Sequence, residues 1–199
     1  MRNRRTTKDP ISAYGAGIDD AFDKALKAFS VSGLRGAVLG SQTPWLEATL
    51  LAYGAKHVET IEYGEIASRH PKITTLRPTE AYAKFLNNTH VLYDFVASFS
   101  SVEHSGMGRY GDPMNPSADI EAVAAMSCLV KKGGRMFLGV PSGGDSVHWN
   151  AHRVYGAKRF PLLTVNWKLQ AVFGVVKWGV SDWDTQPILV FENHLSAAT

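Results

Sequence analysis

Gly36-Ala-Val-Leu-Gly40-Ser-Gln-Thr-Pro-Trp45-Leu-Glu47 is the stretch on which the fold turns. Its first half is a short apolar run suited to a strand buried in a parallel sheet. Its second half carries helix-start signals: Thr43 as a cap, Pro44 at the first helical position, and Glu47 near the positive helix end. A strand that passes through a glycine turn into a helix also brings backbone N–H groups and a helix terminus toward a ligand.

Working outward, the pattern repeats. Upstream, Asp19 to Phe29 reads as a helix with Phe22, Leu26 and Phe29 on one face, ended by Ser32-Gly33. Downstream, Gly54 stops the helix that Pro44 opens. Val58–Tyr63, Lys72–Leu76 and Tyr93–Phe99 are predicted strands, with a helix over Thr79–Leu86. After a loop rich in Gly and Pro, Asn115-Pro116 opens a further helix, on which Ile120, Val123, Ala124 and Ser127 recur. Lys131-Lys-Gly-Gly134 is predicted to close that helix, and Arg135–Val140 to form a fifth strand. Two apolar runs remain, Val172–Val180 and Pro187–His194, joined by Ser181–Gln186. That connector suits a hairpin and is too short for a crossover helix. An α/β domain is expected, with five strands alternating with helices and a last pair running antiparallel.

Composition agrees. The chain has 199 residues, 45% hydrophobic and 20% charged, which suits one globular domain. A single cysteine, Cys128, excludes a disulfide framework and a thiolate metal cluster, and it fits a reducing compartment. Much of the net charge of +3 sits in Met1–Lys8, read as a solvated basic arm over residues 1–15 rather than a nucleic-acid or lipid surface. No apolar signal region follows the arginines, and nothing approaches the ~20 apolar residues of a membrane span. A soluble, cytoplasmic protein is expected if Met1 is the natural start.

In an open parallel sheet, ligands bind beyond the carboxyl ends of the strands. Gly40, Ser41, Gln42, Thr43 and Trp45 fall there, although only Gly40 remains of the several glycines in a full nucleotide fingerprint. Glu62 follows about 20 residues later, the spacing of a carboxylate that accepts both ribose hydroxyls of a nucleoside. Ser98-Phe-Ser100-Ser-Val-Glu103-His104 leaves the fourth strand, and its last two residues suit cofactor orientation, substrate positioning or proton transfer. Asp94 reads as structural. His148-Trp-Asn-Ala-His152-Arg-Val-Tyr155 reads either as an acceptor-binding loop or as a structural one. Its histidines stand at helical i,i+4 spacing, but without an intervening Glu-x-x or a third ligand no metal is expected.

Taken in this order, these elements resemble the class I S-adenosylmethionine-dependent methyltransferase superfamily over about Gly33–His194, with a Leu129–Pro141 Gly-Gly element before the final hairpin. More narrowly, Gly40–Glu47, Thr60-Ile-Glu-Tyr63 and His152-Arg-Val-Tyr155 resemble a domain-of-unknown-function family within it. The resemblance implies a three-layer Rossmann-like fold with a mostly parallel seven-stranded sheet and S-adenosylmethionine as cofactor. It places Gly40 and Ser41–Trp45 beside the methionine part, Glu62 at the ribose, and Ser98, Ser100 and their neighbours by the sulfonium, with Tyr63 also among the cofactor-binding residues. Glu103, His104, His148 and His152 become the candidate bases toward an unidentified acceptor.

Two alternatives share these residues. The Gly40-to-Glu62 spacing also suits NAD, while the closing antiparallel pair argues against an oxidoreductase. A non-catalytic binding protein would explain the single-glycine loop. Trp45, Trp149, Trp167, Trp178 and Trp183 would then be candidates for a partner surface, with core or rim packing the default for each.

Overall fold

The computed structural model describes residues 14–66, 68–177 and 185–195. The chain runs through α1 (Ala16–Ala28), β1 (Arg35–Leu39), α2 (Trp45–Ala52), β2 (His57–Ile61), β3 (Ile73–Leu76), α3 (Pro78–Leu86) and β4 (Tyr93–Phe99). After a 3-10 turn at Val102–His104 come α4 (Ala118–Leu129), β5 (Val130–Gly139), β6 (Ser146–His148), β7 (His152–Val154), α5 (Phe160–Leu163), β8 (Trp167–Phe173) and β9 (Ile188–Asn193).

Seven strands form one sheet in the order β3-β2-β1-β4-β5-β9-β8. The first five are parallel, and β9 inserts antiparallel between β5 and β8. That insertion separates the sheet from the dinucleotide-binding order, in which the sixth strand simply follows the fifth.

Strand alternation builds the three layers. Val38, Phe95, Phe137 and Val190 pack with Phe22 and Leu26 of α1 and Leu46 and Leu50 of α2. Ala37, Val96, Met136 and Phe191 face the other way, against Val123 and Met126 of α4 and Leu163 of α5. Helix α3 buries none of its residues and stands at the edge of this second layer.

Several local expectations shift. Pro44 is the N-cap of α2 (ψ 46°), and Thr43 offers its carbonyl to the Trp45 amide at 2.7 Å instead of capping with its hydroxyl. Helix α4 starts at Ala118, because Asn115 Oδ1 first accepts the Ser117 amide at 2.9 Å in a turn. Helix α4 does end just ahead of Lys131–Gly134, at Leu129, but that segment is strand and not a closing loop. Val130 already pairs with Tyr93, and the segment is an irregularity within β5 before Arg135 pairs with Phe95. The eighth strand is earlier than expected, at Trp167–Phe173, because the Trp167 ring is buried with its indole N–H donating to the Val123 carbonyl at 3.2 Å. Gly174 (φ 101°) then turns the chain away.

Residues 1–13 of the expected arm, Trp178, Trp183 and Ser181–Asp184 of the connector lie outside the described residues. No helix among the described residues is long and apolar enough to cross a membrane. Asp94 is structural, accepting the Arg35 amide at 2.9 Å and pairing with Lys131 at 2.5 Å.

Candidate active site

A cleft of about 260 Å³ opens at the carboxyl ends of β1, β2 and β4. Gly40, Ser41, Gln42, Thr43, Trp45, Glu62, Tyr63, Ser100 and His104 all line it. Gly40 sits at φ 74°, and a side chain there would collide with Ser101, so both backbone and space demand glycine. Ser100 holds a left-handed φ of 50°, a conformation that costs a non-glycine residue energy and clusters at functional sites.

Glu62 leaves β2 directly into the cleft wall. Its Oε2 accepts the Ser41 amide at 2.8 Å, and its Oε1 accepts the amides of Tyr63 at 2.6 Å and Gly64 at 3.2 Å. A carboxylate has about four lone-pair directions, so one remains, on Oε2. Behind the loop lies a second carboxylate. Glu47 is fully buried and accepts hydrogen bonds from Thr60 Oγ1 at 2.7 Å and Ser41 Oγ at 3.2 Å. Burial raises its pKa above the ordinary value, against the pull of those donors.

Ser98 is elsewhere. Its hydroxyl donates to the Leu39 carbonyl at 2.9 Å, tying β4 to β1 behind the cleft lining.

His104 stands at the other wall. Its Nδ1 contacts the Ala151 carbonyl, which can only accept, so Nδ1 carries the hydrogen and Nε2 keeps its lone pair. Burial, foremost, lowers its pKa, which keeps the ring neutral. Nε2 lies 3.8 Å from Oε1 of Glu103. Glu103 is 1% exposed; its Oε1 accepts from Gln186 at 3.2 Å, while Oε2 has no partner among the described residues. Burial pushes its pKa up to about 7.

His148 and His152 do not share a helix. They face each other across the β6–β7 hairpin, where a three-residue loop gives the same spacing, and their rings stack with centroids 4.8 Å apart. His152 lies 6.2 Å from the His104 ring, so three imidazoles form a row leading out from the cleft. No group of three or more His, Cys, Asp or Glu residues among the described residues is arranged to hold a metal ion.

The same hairpin turns Arg153 and Tyr155 inward. Tyr155 donates to Asp119 Oδ2 at 2.9 Å, Arg159 pairs with Asp119 at 2.5 Å, and Arg153, 3% exposed, donates to the Ser105 carbonyl at 2.6 Å. This part of the loop is a buried strut.

Sequence reasoning missed Asp119, Arg109, Tyr110 and Asp112. Asp112 gathers the amides of Gly106, at 2.5 Å, Met107, Gly108 and Tyr110, and so shapes the loop beside His104. An aspartate within a glycine-rich loop was the available signal. Burial of Glu47 could have been suspected because α2, Trp45–Ala52, contains no other charged residue. A larger apolar groove of about 540 Å³ between α3 and α4 shares Leu39, Ile61, Tyr63 and Pro78 with the cleft.

Sheet order, cleft and turn define the class I methyltransferase fold. The chain belongs to the family described as "Caenorhabditis protein of unknown function, DUF268", which matches residues 33–186. No curated protein matches the chain. Among solved structures it is similar to the N-methyltransferase NodS from Bradyrhizobium japonicum WM9, at 16% identity and TM-score 0.60, covering 89% of this chain and 94% of that one. NodS has also been solved with S-adenosyl-L-homocysteine, and that structure matches at 17% identity and TM-score 0.59, covering 88% and 84%. The ribosomal protein L11 methylase from Lactobacillus delbrueckii subsp. bulgaricus matches at 8% identity and TM-score 0.54, covering 88% and 79%. At these identities the likeness is one of fold.

Proposed function

We propose that this chain binds S-adenosylmethionine in the cleft at the ends of β1, β2 and β4 and transfers its methyl group to an acceptor positioned against His104. One observation carries the proposal. The Gly40 turn, the first turn of α2 and the Glu62 carboxylate meet at a single cleft, as recognition of a nucleoside with a charged tail requires. The similarity to NodS, which has been solved with S-adenosyl-L-homocysteine, supports the choice of cofactor.

The residues present fit the cofactor. Leu39, Ile61, Tyr63 and Pro78 offer an apolar bed for a flat base. Glu62 keeps one acceptor direction for a ribose hydroxyl. Beyond it, the amino terminus of α2 favours a carboxylate. When bound, S-adenosylmethionine supplies a methyl group on positive sulfur, open to direct displacement. The protein then has mainly to align the nucleophile and exclude water. Nε2 of His104 is the base for an alcohol or amine acceptor. A proton taken there is stabilised by Glu103, 3.8 Å away. His152 and His148 stand farther out and are better placed to meet the acceptor than to take its proton.

Equilibrium dialysis with labelled S-adenosylmethionine and, separately, NADH tests this. Retention of the first and not the second is expected, and preferential retention of NADH would overturn it. A binding protein without catalysis is the second reading, favoured by the three backbone amides already on Glu62. It predicts that neither is retained.

A further inference from the structure

We propose that the acceptor carries an anionic oxygen group, a carboxylate or a phosphate, bound by Arg109 and the histidine row at the mouth of the cleft. The term acceptor rests on the methyl-transfer reading; the anion site does not.

Arg109 follows the 3-10 turn, and one of its N–H groups donates to the Asn150 carbonyl at 2.9 Å, which anchors it to the β6–β7 hairpin. Its guanidinium lies 5.8 Å from the centre of the Tyr110 ring, which lines the cleft. Tyr110 in turn packs edge-on against His104, with centroids 5.5 Å apart. Arg109, His104, His152 and His148 therefore converge on one ledge. A guanidinium presents five N–H donors in a planar fork suited to a carboxylate or phosphate, and the Asn150 carbonyl takes one.

The acids around the ledge are committed elsewhere. Asp112 faces His104 but accepts the loop amides of Gly106, Met107, Gly108 and Tyr110. Glu103 is buried beneath and bonded to Gln186. Asp145, just before β6, accepts the amides of Gly156, Lys158 and Arg159. Among the described residues Arg109 forms no ion pair. Burial, and then the charges of His148, His104 and Arg109, hold the His152 pKa down. Such mutual repulsion marks a place that an anion would relieve. An oxyanion seated there favours the protonated form of His152, so its binding strengthens as pH falls. It also leaves the acceptor's reacting atom beside His104.

The test follows the imidazole resonances of the full-length chain by NMR during titration with methyl phosphate and, separately, acetate. Saturable shifts of the His152 and His148 signals are expected from one probe or both, tighter at pH 6 than at pH 8. The stronger probe identifies the anion class. Arg109→Gln, on an exposed loop, should weaken binding by about tenfold or more, and Arg109→Lys should recover only part of it. No saturable shift from either probe, or binding unchanged in Arg109→Gln, would overturn the proposal. The readout needs no S-adenosylmethionine, so its failure is distinct from failure of the cofactor site.

Discussion

The backbone amide of Ser41 donates to Glu62 Oε2 at 2.8 Å, fastening the loop after β1 to the end of β2. The Ser41 hydroxyl points the other way, to buried Glu47. The loop is thus held between two carboxylates. Where glycine-rich loops rely on bare backbone for close approach, this one adds side-chain hydrogen bonds.

That arrangement makes Thr60 a support of the cleft although it does not line it. Thr60→Val keeps the shape and removes the donor to Glu47 Oε1. Stability should fall by about 1–3 kcal/mol at neutral pH, the cost of a buried acceptor left short of a partner. The Thr60 hydroxyl favours ionised Glu47, so the loss should shrink at acidic pH, where Glu47 protonates in both proteins. Urea denaturation at pH 5 and pH 8 measures the difference.

Gly40→Ala should destabilise by at least about 2 kcal/mol. The left-handed backbone costs an alanine roughly 1–2 kcal/mol, and its methyl group meets the Ser101 side chain. Adding Ser101→Gly should recover the collision and leave the backbone strain. Chemical denaturation of the single and double variants separates the two contributions.

Glu103 gives the fold a pH signature. Its folded pKa of about 7 lies above the ordinary 4.5, so between those values the folded chain holds the extra proton. This stabilisation is fully present below pH 4.5 and is lost as pH rises through about 7, by on the order of 3 kcal/mol. Glu103→Gln, neutral throughout, should lack that decline. Parallel stability curves for the two proteins from pH 5 to 8 would contradict the assignment.

Asp119→Ala should be the most damaging of these substitutions, at about 3–5 kcal/mol, because it leaves Arg153 and Arg159 beside a vacated buried carboxylate and removes the acceptor of Tyr155. Thermal denaturation checks it. Little effect would mean that the network is dispensable.

Much of the sheet was legible because strands such as β1, β4 and β9 are short apolar runs with their own punctuation, whereas β8, with Lys168 and Gln170, was placed too late. Tyr93–Phe99 is read to the residue, and Gly54, at φ 91°, follows α2 as a stop should. Local signals misled where tertiary pairing decided. Two lysines and two glycines do mark the end of α4 at Leu129, yet they lie within β5, where Val130 is already paired with Tyr93, and not in a loop. The histidine spacing at 148 and 152 fits a helix turn and a cross-hairpin pair equally well. Around the cleft, Gly40 and Glu62 stood out through their spacing. Asp119 did not, since its burial depends on Arg153, Tyr155 and Arg159, more than thirty residues away. The difference between Arg153 turned inward and His152 at the ledge rests on strand alternation that only the hairpin sets.

The most direct test of the central claim is calorimetric titration of S-adenosylhomocysteine into the wild-type chain and into Glu62→Ala. Micromolar binding to the first, weakened about tenfold or more in the second, is the predicted result. Absence of binding to folded wild-type protein, or equal affinity for both, would contradict the cofactor site.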